Sequence, residues 1–365
     1  MKSFLLMTAA CLLLLNGLEA QYEFTEKYNV ACTSIKNQQN TGTCWSFSTV
    51  SFLESELIRM GKPEYDLSEM FIVRTIYQDK ANNYVLRQGK ANFSQGSLNH
   101  DVIRALEIGG AIPESVYSGL LDGEKVHDHS EMEVALKGML DGIVERGKPG
   151  KKWRGAVERI LDEYLGEVPE TFNYQGKSYT TSSFAEALGI SADDYVTLTS
   201  FSHHPFYESF ILEIPDNYSN GSYYNIPLDE LEAVVDYALS QGYSVAWDGD
   251  VSEKGFSARE GIAIVPVQEK SENLFKKPEA EVSVTQESRQ AAFESYATTD
   301  DHLMHLVGIS VDQNGTKYYI TKNSWGEVST YKGFLHLSEA YFRLKTVGIM
   351  VHKDAIPSDI GKKLF

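Results

Sequence analysis

Cys44 is the side chain whose chemistry the sequence advertises first. It stands where a polar loop, Lys36-Asn37-Gln38-Gln39-Asn40-Thr41-Gly42-Thr43, gives way to a longer segment. In that segment Phe47, Val50, Leu53, Leu57 and Met60 recur at steps of three or four, one face of a helix. Gly61-Lys62-Pro63 ends it. Cys44 therefore falls in a first helical turn, where unpaired N–H groups and the macrodipole favour negative charge. A thiol placed there ionises readily and becomes a nucleophile. Free cysteine is also among the most buried residue types, so position alone leaves an inert core thiol equally open. A base is offered far along the chain by Asp301-His302-Leu303-Met304-His305-Leu306-Val307-Gly308-Ile309. Strand alternation puts Leu303, His305, Val307 and Ile309 on one apolar face, so His305 is expected inside the fold. His302 falls on the opposite face at the strand's start. Positions three apart on a strand face opposite ways, which argues against a His-x-x-His metal pair.

The flanks of these residues carry a resemblance. Gln38, six residues before Cys44, followed by Gly42-Thr43-Cys44-Trp45-Ser46-Phe47, resembles the active-site segment of papain-like cysteine peptidases. The resemblance implies an oxyanion hole built from the Gln38 side-chain amide and the Cys44 backbone N–H. One such donor is typically worth about 2.7–4 kcal/mol. The family's common form has a second cysteine three residues before the nucleophile, where this chain has Thr41. That departure points to the bleomycin hydrolase or aminopeptidase C branch. His302, with Gly308 six positions on, fits the family's register for the catalytic histidine, and His305 does not. Asn323-Ser324-Trp325-Gly326, after a strand over 318–322, matches the family's third motif. It implies that Asn323 fixes the imidazole and that Trp325 shields their hydrogen bond from water. Asp66-Leu67-Ser68-Glu69-Met70-Phe71 reads as the capped start of a second helix, and it resembles the Leu-Ser-Glu stretch that follows the nucleophile helix in that family. Gly96 is the candidate for backbone contact with a substrate peptide.

From this resemblance follows a mechanism. Cys44 and His302 are expected to form a thiolate–imidazolium pair, the thiolate attacks a peptide carbonyl, and an acyl-enzyme is released by water. No metal or organic cofactor is required. His127-Asp128-His129 and His203-His204-Pro205 are read as loops rather than metal sites.

These side chains need a scaffold, and composition says what kind. With 365 residues, 42% hydrophobic and 23% charged, the chain is globular and long enough for two packed lobes. The resemblance implies an α+β, papain-like two-lobed fold: a helical left lobe with the cysteine helix, an antiparallel β-barrel-like right lobe, and a helical insertion. Residues 1–20 read as a signal peptide, with Lys2, an apolar run from Phe4 to Leu15 and a small residue, Ala20, before the cut. Residues 21–119 form the helical lobe with the nucleophile, with a helix over 98–108. Residues 120–195 are the insertion, with charged amphipathic segments at 130–146 and 153–165. Residues 196–352 are the β-rich lobe carrying His302 and Asn323, with one helix over 228–241. Residues 353–365 are a C-terminal arm.

The mature protein is expected to be exported, periplasmic or secreted, with no membrane association once the leader is removed. Cys32 and Cys44 then remain, and a bridge at Cys44 would quench the nucleophile, so both are expected as free thiols. A net charge of 33 − 51 = −18 repels phosphate backbones and excludes nucleic acid as a partner. Peptides are the expected substrates. Gln38 follows Gln21 by only seventeen residues, too few for the inhibitory pro-segment of secreted papain-like endopeptidases. In the resembled branch the chain's own C-terminus limits the cleft. By that resemblance residues 358–365 lie at the active site and the Phe365 carboxylate anchors the substrate's amine, giving an aminopeptidase. The branch also forms hexameric rings, so a homo-oligomer is implied. An endopeptidase, an acyl-transfer or amidase enzyme, and a catalytically silent peptide-binding scaffold are the alternatives.

Overall fold

The computed structural model describes residues 21–121, 123–268 and 274–365. The leader expected over 1–20 lies outside them. A strand, β1 (Thr25–Asn29), comes first, followed by α1 (Cys44–Arg59), α2 (Glu69–Leu86) and α3 (Asn99–Gly109). Next are α4 (Ser130–Glu145), α5 (Trp153–Leu165), the hairpin β2 (Phe172–Tyr174) and β3 (Lys177–Tyr179), and α6 (Thr181–Leu188). The second half holds β4 (Tyr195–Thr199), β5 (Ser209–Ile211), β6 (Ser222–Asn225), α7 (Leu228–Ser240) and β7 (Val245–Gly249). It continues with β8 (Phe256–Ser257), β9 (Ile262–Ala263), α8 (Gln286–Glu294), β10 (His302–Val311) and β11 (Lys317–Lys322). The chain ends through β12 (Phe334–Ser338), α9 (Glu339–Lys345), β13 (Thr346–His352) and α10 (Ser358–Leu364).

Two lobes follow from where the apolar periodicities change. In the helical lobe α1, α2 and α3 share a core with α4 and α5, whose Met132, Leu136, Leu140, Val157 and Leu161 repeat at helical spacing and are buried. The segment expected to be a helical insertion is thus part of the helical lobe's core, and it also contains the β2–β3 hairpin and α6. Ser68 caps α2 by accepting from Phe71 N at 3.0 Å. Among the described residues no helix is long and apolar enough to cross a membrane.

The other lobe is one sheet with the strand order β5-β6-β4-β13-β7-β10-β11-β12-β9-β8, and β1 pairs with the far end of β10. Residues near the N-terminus, expected to be mostly helical, therefore contribute a strand to the sheet lobe. The pairing is mixed rather than antiparallel throughout, because β4–β6 and β12–β9 are parallel. The ladder also has two ends, at β5 and β8, so hydrogen bonds do not close it into a barrel. Its core is covered by α7 and by the C-terminal α10.

Strand β10 decides how the lobes meet. Leu303 belongs to the core shared with Cys44, and His305 reaches Ser51 on α1. Met304 and Leu306 point the other way into the sheet-lobe core. A register shift between Leu306 and Gly308 changes the alternation, so that Ile309 joins Met304 and Leu306. Both faces of β10 are therefore buried, with Leu303 and His305 packed on α1.

Candidate active site

Helix α1 passes between the lobes and is buried on every side from Cys44 to Leu57. Its serines and threonines make this tolerable, being small and able to find partners: Ser46 Oγ donates to Glu69 O at 2.9 Å. Glu54 is fully buried and fully used, accepting from Leu67 N at 2.9 Å and from Thr33 Oγ1 at 2.6 Å. Lys36, at the start of the loop before Cys44, sits among three acids. Its Nζ lies 2.6 Å from Glu69, 2.6 Å from Asp66 and 3.4 Å from Glu54. Burial alone would discharge Lys36, but Glu69, Glu54 and Asp66 outweigh it and hold the ammonium charged. This cluster ties the loop to both α1 and α2. Thr43 precedes the helix and Cys44 is its first residue, so the Cys44 N–H lies among the unbonded donors of the first turn.

The other side of the cleft is built by β10 and β11. His302 opens β10 and Asn323 follows β11, and His302 Nε2 donates to Asn323 Oδ1 at 2.8 Å. The direction of that bond is fixed locally. Asn323 Oδ1 also accepts from Ser324 N at 2.7 Å, so it is the carbonyl that faces the ring. Nε2 then carries the proton and Nδ1 has the lone pair. Trp325 lies over the imidazole with ring centroids 4.4 Å apart, covering the hydrogen bond. His305 is fully buried, and Ser51 Oγ is 3.0 Å from its Nδ1. Lys322 donates to the same Ser51 oxygen at 2.7 Å. His305 is therefore part of the interlobe packing.

The two sides are stitched together. Asn37 and Trp325 form an isolated antiparallel bridge, with Gln38 N donating to Ser324 O at 2.8 Å and Gly326 N to Lys36 O at 3.0 Å. Gly326 has φ +74, and a Cβ there would lie 3.2 Å from the Asn37 amide. The Gln38 amide is held at both ends. Its Oε1 accepts from Ser324 Oγ at 2.6 Å, and its Nε2 donates to Thr41 O at 2.7 Å. One proton of Nε2 remains for another acceptor. Thr41 Oγ1 donates to Gln38 O at 2.8 Å and lies 2.5 Å from Thr43 Oγ1. These bonds close the turn at the position where the resembled family commonly has its second cysteine. Cys32 and Cys44 are both free thiols.

The electrostatics correct one expectation. Burial pushes the Cys44 thiol up to about 12, opposed by the Leu303 backbone and reinforced by Asp300, Asp248 and Asp216. Burial pushes His302 down to about 4, and the Asn323 bond offsets this only in part. Desolvation penalises charge on both groups, which disfavours the expected ion pair in the closed site. The imidazole ring is held by Asn323.

Two further expectations are corrected. Gly96 was expected to offer its backbone to a substrate strand. Its carbonyl instead accepts from Lys80 Nζ, and the Asp216 carboxylate occupies the place a Cβ would take. Phe365 was expected in the cleft. The arm instead folds as α10, burying Ile360 in the sheet-lobe core and bonding Lys363 to Glu230 of α7 at 2.7 Å. The Phe365 ring packs on Tyr224 and beneath Lys353. Apolar residues at 356, 360 and 364 have helical spacing and favour this docking over an extended arm.

Reasoning from sequence missed Ser324, Lys36, Asp248 and Asp300. Ser324 lay inside a recognised motif and was signalled only as a neighbour. The others are charged residues whose burial no local pattern announces. It also missed that His203 and His204 both meet Glu213, at 3.2 and 2.7 Å. Their ligand atoms lie within 4.8 Å of one another, a set that fits a cation by residue type. Gln290 Nε2 bonds His203 Nδ1 at 3.0 Å, so His203 Nε2 carries the proton directed at Glu213.

Comparisons with known proteins place the chain in a family. Residues 156–364 match the Peptidase C1-like family, and residues 19–98 match the Papain family cysteine protease description. The chain is 25% identical to Aminopeptidase G of Lactobacillus delbrueckii subsp. lactis, over 89% of this chain and 82% of that protein. It is 24% identical to Aminopeptidase C of Streptococcus thermophilus, over 93% and 85% respectively. The crystal structure of PepW from Lactobacillus rhamnosis superposes with a TM-score of 0.72 at 18% identity, covering 93% of this chain and 84% of that one. That likeness shows the fold: α+β, with the two lobes of papain-like proteases. The first match alone covers more than half of the sequence, and on it the chain belongs to the Peptidase C1-like family and is a cysteine-type peptidase.

Proposed function

We propose that this protein is an aminopeptidase that releases N-terminal residues from peptides through Cys44, His302 and Asn323. The observation that carries the reading is the His302–Asn323 bond at 2.8 Å beneath Trp325, at the start of a strand that packs on the helix whose first residue is Cys44. With Nε2 fixed as donor, Nδ1 is the base. It takes the thiol proton as sulfur attacks the carbonyl carbon, so the ion pair forms during the reaction rather than before it. The oxyanion is received by the Cys44 N–H and the remaining Gln38 Nε2 proton. His302 returns its proton to the leaving amine, and water hydrolyses the thioester by the reverse sequence. The names of the relatives, Aminopeptidase G and Aminopeptidase C, support the exopeptidase reading. The leader-like residues 1–20 support export to the periplasm or the medium. The family resemblance implies a ring of copies, which light scattering of the purified protein reads directly.

The test is hydrolysis of one peptide with its amine free or acetylated, by wild type and Cys44→Ala. Cleavage of the free peptide by wild type alone is expected. Equal cleavage of the acetylated peptide by wild type, or activity retained in Cys44→Ala, would overturn the proposal.

A further inference from the structure

Three carboxylates beside the nucleophile take no part in the steps above. Asp248, on β7, is the ladder partner of Leu303, which packs in the same core as Cys44. Asp300 precedes His302 by two residues. Asp216, in the β5–β6 connection, lies against Gly96, with Oδ1 accepting from Asn92 at 2.8 Å. All three raise the Cys44 thiol through space.

Asp248 is completely buried, and apart from a proton shared with Asp300 its oxygens have no hydrogen-bond partner. Asp300 Oδ2 is enclosed in the same way. So is the hydroxyl of Tyr223, a fully buried residue that feels both carboxylates. Lys80 is nearby, but its ammonium donates to the carbonyls of Ser94 and Gly96. Buried acids left without partners cost folding free energy. Such groups concentrated at a nucleophile mark a site for a cation.

We infer that Asp248 and Asp300, with Asp216 pressing on the same space, receive the protonated α-amine of the substrate and so make the enzyme exo-acting. This rests on the aminopeptidase reading and replaces the C-terminal carboxylate, which α10 holds elsewhere. An α-amine nitrogen lies only about 2.5 Å from its own carbonyl carbon, given the N–Cα and Cα–C lengths. Whatever anchors it must therefore adjoin Cys44. The bound ammonium takes the place of the shared proton, which leaves to solvent, and no bond to carbon changes.

The experiment measures kcat/KM for matched free and N-acetylated aminoacyl fluorogenic amides in wild type and in Asp248→Asn, Asp300→Asn and Asp216→Asn. The free-to-acetylated ratio should fall at least about 30-fold in Asp248→Asn or Asp300→Asn, the factor expected for truncating one partner of a buried charge pair. An unchanged ratio, or equal loss on both substrates, overturns the inference. A wild-type measurement guards against misfolded variants. Leucinamide should protect Cys44 from alkylation, whereas its deaminated isostere 4-methylpentanamide should not; equal protection overturns the inference. An acetylated peptide with Lys one position before the cleaved residue separates the other source of a cation, and its cleavage at the free-amine rate would assign the carboxylates to a side chain. If wild type shows no preference for free amines, the aminopeptidase reading itself fails. If the preference survives all three substitutions, only the carboxylate assignment does.

Discussion

Removing a single hydroxyl, in Ser324→Ala, tests how the oxyanion site is held. Ser324 Oγ donates to Gln38 Oε1 at 2.6 Å, and both residues are buried. The substitution leaves Oε1 without that donor, which costs about 1–3 kcal/mol. The amide can relieve this by rotating, which would aim a carbonyl oxygen rather than Nε2 at the developing oxyanion. Complete loss of an oxyanion donor typically costs about 10²–10³ in kcat, so Gln38→Ala sets the ceiling. Thr41 O still accepts from Nε2 at 2.7 Å and favours the productive orientation. The expected effect of Ser324→Ala is therefore smaller, about 10–100-fold in kcat with little change in KM. Steady-state hydrolysis of a free-amine aminoacyl coumarin amide measures both parameters. Ser324 acts through Gln38, so the double variant Gln38→Ala/Ser324→Ala should match Gln38→Ala within about twofold. Multiplicative losses in the double variant, or an unchanged kcat in Ser324→Ala, would refute the reasoning.

Three other outcomes follow from the same contacts. Lys36→Met strands Glu54 and Glu69 in a buried site, and urea denaturation should show a loss of about 3–5 kcal/mol; a change below about 1 kcal/mol would show that the cluster does not hold the loop. Deleting residues 358–365 takes Ile360 out of the sheet-lobe core. It should cost about 2–3 kcal/mol of stability while leaving the preference for free amines intact, and the appearance of internal cleavage would return the arm to the cleft. Burial holds His336 down to about 4, against about 6.5 in an unfolded chain. The unfolded state alone binds that proton between those values, so the residue's contribution is complete above pH 6.5 and is lost as pH falls towards 4. The stability advantage of wild type over His336→Asn should shrink by up to about 3 kcal/mol between pH 7.5 and 4; a constant difference would contradict the assignment.

Much of the chemistry was legible because it is local. Cys44 at a helix start, the strand entering at His302 and the Asn323-Ser324-Trp325-Gly326 turn each announce themselves within a few residues. The helices over 44–59 and 153–165 could be read from spacing because their apolar stripes follow the helical period. What escaped was set by partners distant in sequence. Nothing near Asp248 says that it pairs with Leu303, and nothing near Lys36 says that Glu54 and Glu69 converge on it. The strand β1 was missed because its pairing with β10, more than its pattern, makes it a strand. The ionised Cys44–His302 pair was inferred from a resemblance, a helix terminus and a facing imidazole, and the burial that opposes it arises only when the lobes close over α1. The C-terminal arm was misplaced because a resemblance outweighed the helical spacing of its own residues 356, 360 and 364.

The central claim is that Cys44 forms a thioester with the substrate's acyl group. Acid quenching of the wild-type protein during turnover of a leucyl ester, followed by peptide mapping by mass spectrometry, tests it directly. The account predicts a leucyl adduct on the peptide containing Cys44, absent in Cys44→Ser. A leucyl adduct on Cys32, or turnover that persists in Cys44→Ala with no adduct on any cysteine, would contradict it.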